Sequence, residues 1–440
     1  MQPAQAMIRG NSAGERSRDG TDHPHASIAQ MAPTTLAPKS PMTAISPAVA
    51  SQTRERRAIL IMLISLALYN GAYLIGWALS SPQPAFGDFF GLWSFGKYAA
   101  LSGAGIYDPV ALARYQQTLD PALDGGGFPY PYPPTFLLVL IPLGMLALPV
   151  AYVCWISVSF VLYGVAALGR DWRSLTGLAL LAAPTTLINA ITGQNGFLSA
   201  ALLIGGLRLL ANHPVIAGVL LGLLAYKPQF VLLMPVVLLA SRNWRAILSA
   251  IATTMIVVIV TSAALDPWIW LQWIVRFPEY QAQLQANQTS LDHMMPTVIA
   301  GLHALGAPPP VGSVIQLILS CSVIVMVWES WRRGMTDRAI ALVAVGSIVV
   351  TPYAMIYDMP MVAAGIAIHW KARLEAGAPI AVLEIGLVIT LGACLLAMIA
   401  HSLPLAAAFL LVLLVLSIAG VFDRSSRSAP ALNVAPPAAG

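Results

Sequence analysis

Residues 58–79 read AILIMLISLALYNGAYLIGWAL, and shortly after them residues 86–109 read FGDFFGLWSFGKYAALSGAGIYDP. The first run is uncharged and long enough to cross a bilayer as a helix. The second places Asp88, Lys97 and Asp108 among aromatic residues and five glycines, in a chain that is only 9% charged. A span followed at once by costly charges fixes the class of fold and points to where function is to be sought.

The whole chain repeats the first pattern. Its 440 residues are 58% hydrophobic, with a mean hydropathy of +0.76, whereas soluble domains carry about a quarter charged residues. The fold class is therefore an all-α polytopic membrane protein. The formal net charge of +5 does not indicate nucleic acid, because the arginines stand singly or in small groups between apolar runs, as the positive-inside rule requires. Cys154, Cys321 and Cys394 all lie within apolar runs. They offer no disulfide framework and no metal-ligand spacing, and read as packing residues. Residues 1–53 and 423–440 are rich in Ala, Pro and Ser without periodic apolar pattern, and read as disordered tails. Residues 54–422 are then the membrane domain. The run 58–79 is longer than a signal-peptide core and follows a long tail, so it reads as an uncleaved anchor.

Arg54, Arg56 and Arg57 put the N-terminus on the cytoplasmic side. With the later basic clusters on that side too, spans fall near 57–79, 150–168, 174–191, 196–211, 214–226, 228–240, 244–265, 311–331, 338–354, 357–370, 379–399 and 403–421. That is about twelve crossings, with both termini cytoplasmic and external loops at 80–134 and 266–310. Residues 135–148 (TFLLVLIPLGMLAL) are hemmed in by prolines and reach only about 21 Å as a helix, short of the ~30 Å core. They read as a half-helix dipping in from outside, as do 296–305. Broken helices at that depth need protein or a wet cavity around them, so an external cavity is expected.

This threading collects polar residues from distant parts of the chain on one face. They are Asp88, Lys97, Asp108, Arg114, Asp120 and Asp124 of the first loop, Gln194 and Asn195 of TGQNG, and Lys227 and Gln229 of YKPQ. Asp266, Arg276, Glu279, Asn287, Gln288, Asp292 and His293 come from the second loop, and Tyr353, Tyr357 and Asp358 from TPYAMIYDM. A carboxylate, cations and amides converging at an interface can perform acid–base and phosphate chemistry. Simpler roles compete. Asp108 is placed to cap a helix over 109–119. Trp268, Trp270 and Trp273 suit an interfacial belt, Gln194 and Asn195 a plain turn, and Lys227 a side chain snorkelling to lipid headgroups. Asp88 is harder to dismiss: a carboxylate among Phe, Gly and Trp beside a span needs a partner or a task.

Four segments together, FGDFFGLWSFGKYAALSGAGIYDP, PYPPTFLLVLIPLG, GQNGFLSAALLIGG and GLLAYKPQFVLLMPVVLLASRNWRA, resemble glycosyltransferase family 87, which includes polyprenol-phosphate-mannose-dependent mannosyltransferases. ANQTSL at 286–291 resembles a shorter element of the same loop. The resemblance implies a GT-C fold with external juxtamembrane helices. It implies a hexose, mannose by resemblance, taken from a polyprenyl-phosphate donor to a glycolipid or glycan acceptor, on the external face of the plasma (inner) membrane. Asp88 matches the family's catalytic Asp. It is then the general base of an inverting transfer, with Lys227 and next Arg276 stabilising the departing phosphate. Gln194, Asn195, Gln229, Asn287, Gln288, His293, Trp93, Tyr357 and Asp358 complete the expected binding set. No metal or other cofactor is expected, since Asp88 lacks the paired acid of nucleotide-sugar enzymes. Membrane lipids are the remaining partners expected. Two rival readings stand beside this one: another lipid-linked sugar enzyme, such as an O-antigen ligase or polymerase, and a lipid or sugar transporter.

Overall fold

The computed structural model describes residues 47–80, 86–123, 127–171, 174–286, 291–334, 336–378, 380–399 and 404–420. Contacts divide the chain into two units, Met1–Arg54 and Glu55–Gly440. Of the first, only the opening turns of a helix, 47–54, are described, and most of the two expected tails lies outside the described residues. The second unit carries the architecture. All of its described elements are helical.

Helix α1 (Pro47–Leu79) is followed by two short helices, α2 (Phe89–Ser102) and α3 (Pro109–Leu119), and by α4 (Leu137–Gly144). Then come α5 (Leu148–Leu168), α6 (Leu175–Ala182), α7 (Pro184–Thr192), α8 (Gly196–Leu209), α9 (Pro214–Leu223), α10 (Met234–Ala240) and α11 (Trp244–Leu265). The chain closes with α12 (Ile269–Ala286), α13 (Val298–Ala304), α14 (Pro309–Arg333), α15 (Asp337–Val350), α16 (Pro360–Glu375), α17 (Val382–Ile399) and α18 (Pro404–Ile418). Four of these, within α1 and in α5, α11 and α14, are long and apolar enough to cross a membrane, and the α6–α7 pair, bent by 48°, makes a fifth. Several expected spans are shorter than drawn. The spans at 214–226 and 228–240 begin as α9 and end as α10, with two 3-10 turns (Leu224–Tyr226 and Pro228–Phe230) between them. Among the described residues, then, at most five of the twelve expected crossings are matched by helices of crossing length, and several others fall on shorter apolar helices.

Proline explains the breaks, and side chains repair them. Pro184 has no N–H to give the Leu180 carbonyl, and the Thr186 hydroxyl takes its place at 2.6 Å. The nearby Ala182 carbonyl accepts from Asn70 Nδ2 at 3.1 Å, the one buried polar residue described on α1. Elsewhere small residues let backbones approach. Gly218 and Gly222, one turn apart on α9, face α11. A Cβ there would stand 2.4 Å from the Ala246 carbonyl oxygen and 2.6 Å from that of Ala250.

α15 and α16 form a hairpin whose connection, residues 351–359, lies at one end. At its other end, and at the ends of neighbouring helices, charges gather. Arg208 Nη1 caps the carbonyls of Ala166 and Ala167 at 2.8 and 3.0 Å, closing α5, and Lys371 pairs with Asp171.

Candidate active site

Asp88 and Asp108 both precede short helices, but only one of them caps. Asp108 Oδ1 accepts from the amides of Val110 and Ala111 at 3.0 and 3.1 Å, as its position in YDP leads one to expect. Asp88 makes no such bond to α2. Two successive left-handed residues, Phe86 (φ 63°) and Gly87 (φ 59°), turn the chain into it. A phenylalanine in that region is strained by roughly 1–2 kcal/mol. Its ring packs 4.9 Å from that of Tyr152. The turn leaves the Asp88 carboxylate on the wall of a cavity of about 630 Å³, where Oδ2 accepts from Gln194 Nε2 at 3.4 Å. Burial pushes the Asp88 carboxyl above its ordinary range, and the Gln194 bond only partly opposes this.

Gln194 is held in place by the turn it belongs to. Trp155 Nε1 donates to the Gly193 carbonyl at 3.0 Å, and Tyr152 Oη to that of Ala190 at 2.6 Å. Asn195 faces the other way: it is fully buried, and its Nδ2 donates to Tyr132 Oη at 3.0 Å. It supports the wall from behind. The Gly196 amide donates to Asn189 Oδ1 at 3.0 Å. A Cβ at Gly196 would fall 1.8 Å from the Tyr357 carbonyl oxygen. The turn and the 3-10 segment Ile356–Asp358 are therefore in backbone contact.

That segment supplies the second carboxylate. Asp358, 1% exposed, bonds through Oδ1 to Lys227 Nζ at 2.5 Å and through Oδ2 to the Met355 amide at 3.1 Å. Lys227 is itself 3% exposed, and its ammonium lies 5.3 Å from the Tyr357 ring centre and 5.4 Å from that of Phe230. It does not snorkel outward; it is buried on Asp358 and lines the cavity. A buried pair of this kind offsets two desolvation costs, and removing either partner strands the other.

The remaining walls include Gln229, the apolar Leu92, Phe95 and Met294, and a ring of aromatics that the sequence did not single out: Tyr132, Tyr226 and Tyr280. Trp273 and Tyr353 also face in. Burial, and the charges of Asp358 and Asp88, hold the Tyr132 hydroxyl protonated. PYPP and YKP carried the signal for Tyr132 and Tyr226, as tyrosines close to helix-breaking prolines.

Other expected residues lie elsewhere. Trp93 is buried and donates from Nε1 to the Leu146 carbonyl at 2.9 Å, locking α2 to the end of α4. Arg276 pairs with Glu279 at 2.9 Å and lines a small adjoining cavity with Tyr107 and Tyr280. His293 sits in the 3-10 turn Asp292–Met294 and is not on the cavity wall. Asn287 and Gln288 lie outside the described residues. Of the three tryptophans of the second loop, Trp268 is exposed, Trp270 bonds to Ser262 Oγ at 3.0 Å, and only Trp273 reaches the cavity. Among the described residues no three His, Cys, Asp or Glu side chains come together.

The arrangement offers a proton acceptor of raised basicity at one wall and a cation at another, with an aromatic lining between them. The family model for glycosyltransferase family 87 matches residues 130–352. The match includes Tyr132, Gln194, Tyr226, Lys227 and Tyr280; Asp88 precedes it, and Asp358 follows it. No curated protein and no solved structure matches the chain.

Proposed function

The chain belongs to glycosyltransferase family 87, and from that premise we propose that it moves a hexose from a polyprenyl-phosphate donor to a glycolipid or glycan hydroxyl at the external membrane surface. Mannose is the sugar favoured by the family resemblance. One observation carries the reading: Asp88, Gln194 and the Lys227–Asp358 pair, from four separate stretches of chain, meet on one cavity. Its apolar and aromatic walls suit the lipid end of an amphiphilic donor, and its charged groups suit the phosphate and sugar.

The chemistry follows from the two walls. The acceptor hydroxyl gives its proton to Asp88 as its oxygen bonds to the anomeric carbon. The bond from that carbon to the phosphate oxygen breaks, and polyprenyl phosphate leaves with the electron pair. Asp358 is already committed to Lys227 and the Met355 amide, so a single displacement with inversion uses Asp88 alone as base. Lys227 stabilises the charge that grows on the phosphate. Gln194 orients the Asp88 carboxylate, and Arg276 stands one cavity away.

The test is a donor panel with the purified full chain in lipid nanodiscs. Polyprenyl-phosphate hexoses should support transfer with inversion at the anomeric carbon, and nucleotide hexoses should not. Transfer from a nucleotide sugar, or with retention, would refute the reading.

A further inference from the structure

Tyr152 lies buried on α5, where that helix meets two separate turns of the chain. Its ring packs against the first. The ring centres of Phe86 and Phe89 are 4.9 and 5.4 Å away, the second nearly edge-on at 75°, so the aromatics on both sides of Asp88 rest on one tyrosine. Its hydroxyl holds the second turn, donating to the Ala190 carbonyl at 2.6 Å near the end of α7. Trp155, almost one turn further along α5, donates to the Gly193 carbonyl in the same stretch at 3.0 Å. The two turns also touch each other. A Cβ at Gly193, which is left-handed at φ 65°, would stand 2.4 Å from the Phe89 Cβ. One at Gly87 would stand 3.3 Å from the Ile191 carbonyl oxygen. Tyr152 itself is not on the cavity wall.

We propose, on the reading of Asp88 as the base, that Tyr152 is its positioning residue: the ring fixes the turn that carries Asp88, and the hydroxyl fixes the turn that carries Gln194. Asp88 and Gln194 are 106 residues apart in the chain, and their bond is 3.4 Å long. That is the long end of the hydrogen-bond range, so a shift of a few tenths of an ångström in either turn breaks it. Gln194 is the side chain whose bond works against the effect of burial on the Asp88 carboxyl, and without that bond the carboxyl holds its proton to a higher pH. The other charges on the cavity do not substitute, because Lys227 and Asp358 are bonded to each other. The tyrosines beside them are neutral groups below about pH 10. The two parts of Tyr152 have separable jobs. Tyr152→Phe keeps the ring under the Asp88 turn and releases the Gln194 turn, whereas Tyr152→Leu releases both.

Two measurements on the purified full chain test this. One is transfer from a polyprenyl-phosphate hexose as a function of pH. The other needs no donor: dicyclohexylcarbodiimide attacks protonated carboxyls in apolar surroundings, and the pH midpoint of its labelling of Asp88 is read by peptide mass spectrometry. In Tyr152→Phe, kcat should fall about tenfold with the donor KM within about twofold of wild type. The acid limb of kcat and the labelling midpoint should both move to higher pH. Gln194→Ala should move the midpoint at least as far, and adding Tyr152→Phe to it should move it no further. Tyr152→Leu should lower kcat beyond Tyr152→Phe. An unmoved labelling midpoint in Tyr152→Phe overturns the proposal. So does a further shift in the double variant, since the hydroxyl would then not act through Gln194. If the midpoints shift as described but the wild type transfers nothing from polyprenyl-phosphate hexoses, Tyr152 is upheld as the residue that holds Gln194 on Asp88, and the donor reading is refuted.

Discussion

Asp88 and Asp108 hold the same position relative to their helices, and the difference between them is one of hydrogen bonding. Asp108 spends its carboxylate on α3, so Asp108→Asn should leave transfer and Tm near wild type, since Asn caps nearly as well. Asp88 leaves α2 uncapped and faces the cavity. Asp88→Asn should lower turnover by about two orders of magnitude or more, with donor binding retained; near-normal transfer would demote Asp88 to a structural role. Because burial raises the Asp88 pKa above 3.8, the base form is lost at a higher pH than for a free aspartate. The wild-type rate should therefore fall on an acid limb above that value, and residual activity in Asp88→Asn should lack the limb. The same shift has a stability sign. A raised folded-state pKa favours folding only at low pH, and that benefit is lost as pH rises through it. At neutral pH Asp88→Asn should then unfold at the same temperature as wild type or higher. Lys227→Gln should cost about 2–4 kcal/mol of transition-state stabilisation. It should also destabilise the fold, because Asp358 is left buried without its cation. Adding Asp358→Asn should restore part of the Tm without restoring turnover, and a double variant less stable than either single one would argue against this account of the pair.

At the scale of elements, short helices and the turns between them build the site. Gly196 opens α8 and touches the backbone of the Tyr357 segment. Gly196→Ala puts a methyl into that carbonyl, and small-to-large changes at such contacts cost about 1–3 kcal/mol. We expect a Tm lowered by several degrees and turnover lowered further than stability explains, because Asp358 and with it Lys227 are displaced. Unchanged kinetics would show that the contact does not position the pair. Much at this scale was legible. The helix over 109–119, the long spans 150–168 and 244–265, and the break at Tyr226-Lys227-Pro228 were all marked by caps, apolar length or proline. The 48° bend at Ala183-Pro184 was not drawn, although Pro184 stands in the sequence. A proline leaves both a kink and a fresh N-terminus open as outcomes, and the choice was made by Asn70 and Thr186, whose hydrogen bonds hold the bent form.

At the scale of the molecule, the threading makes a testable claim about sides. Cysteine at Ala122 or Gln281 should react with an impermeant thiol reagent in intact cells, and cysteine at Arg242 or Arg332 only after permeabilisation; labelling of position 242 in intact cells would overturn the topology. The sequence by itself determined that the chain is an all-helical membrane protein of a glycosyltransferase family, with polar residues gathered in the non-helical stretches between apolar runs. The fold class rests on composition and on local spacing, which the bilayer reads directly, and the family on the resemblance of four segments. Which polar residues share a cavity was decided only by tertiary structure. Gln194 and Asn195 are neighbours in one turn, yet one faces Asp88 and the other supports Tyr132 from behind. Lys227 had a phosphate site and lipid headgroups as possible destinations, and packing placed it on Asp358, 131 residues away. Arg276 was drawn instead to Glu279 on its own helix. The physical reason is that a charge inside a membrane protein takes whichever partner the packed helices bring within about 3 Å, and that distance is set by the whole fold rather than by any stretch of sequence.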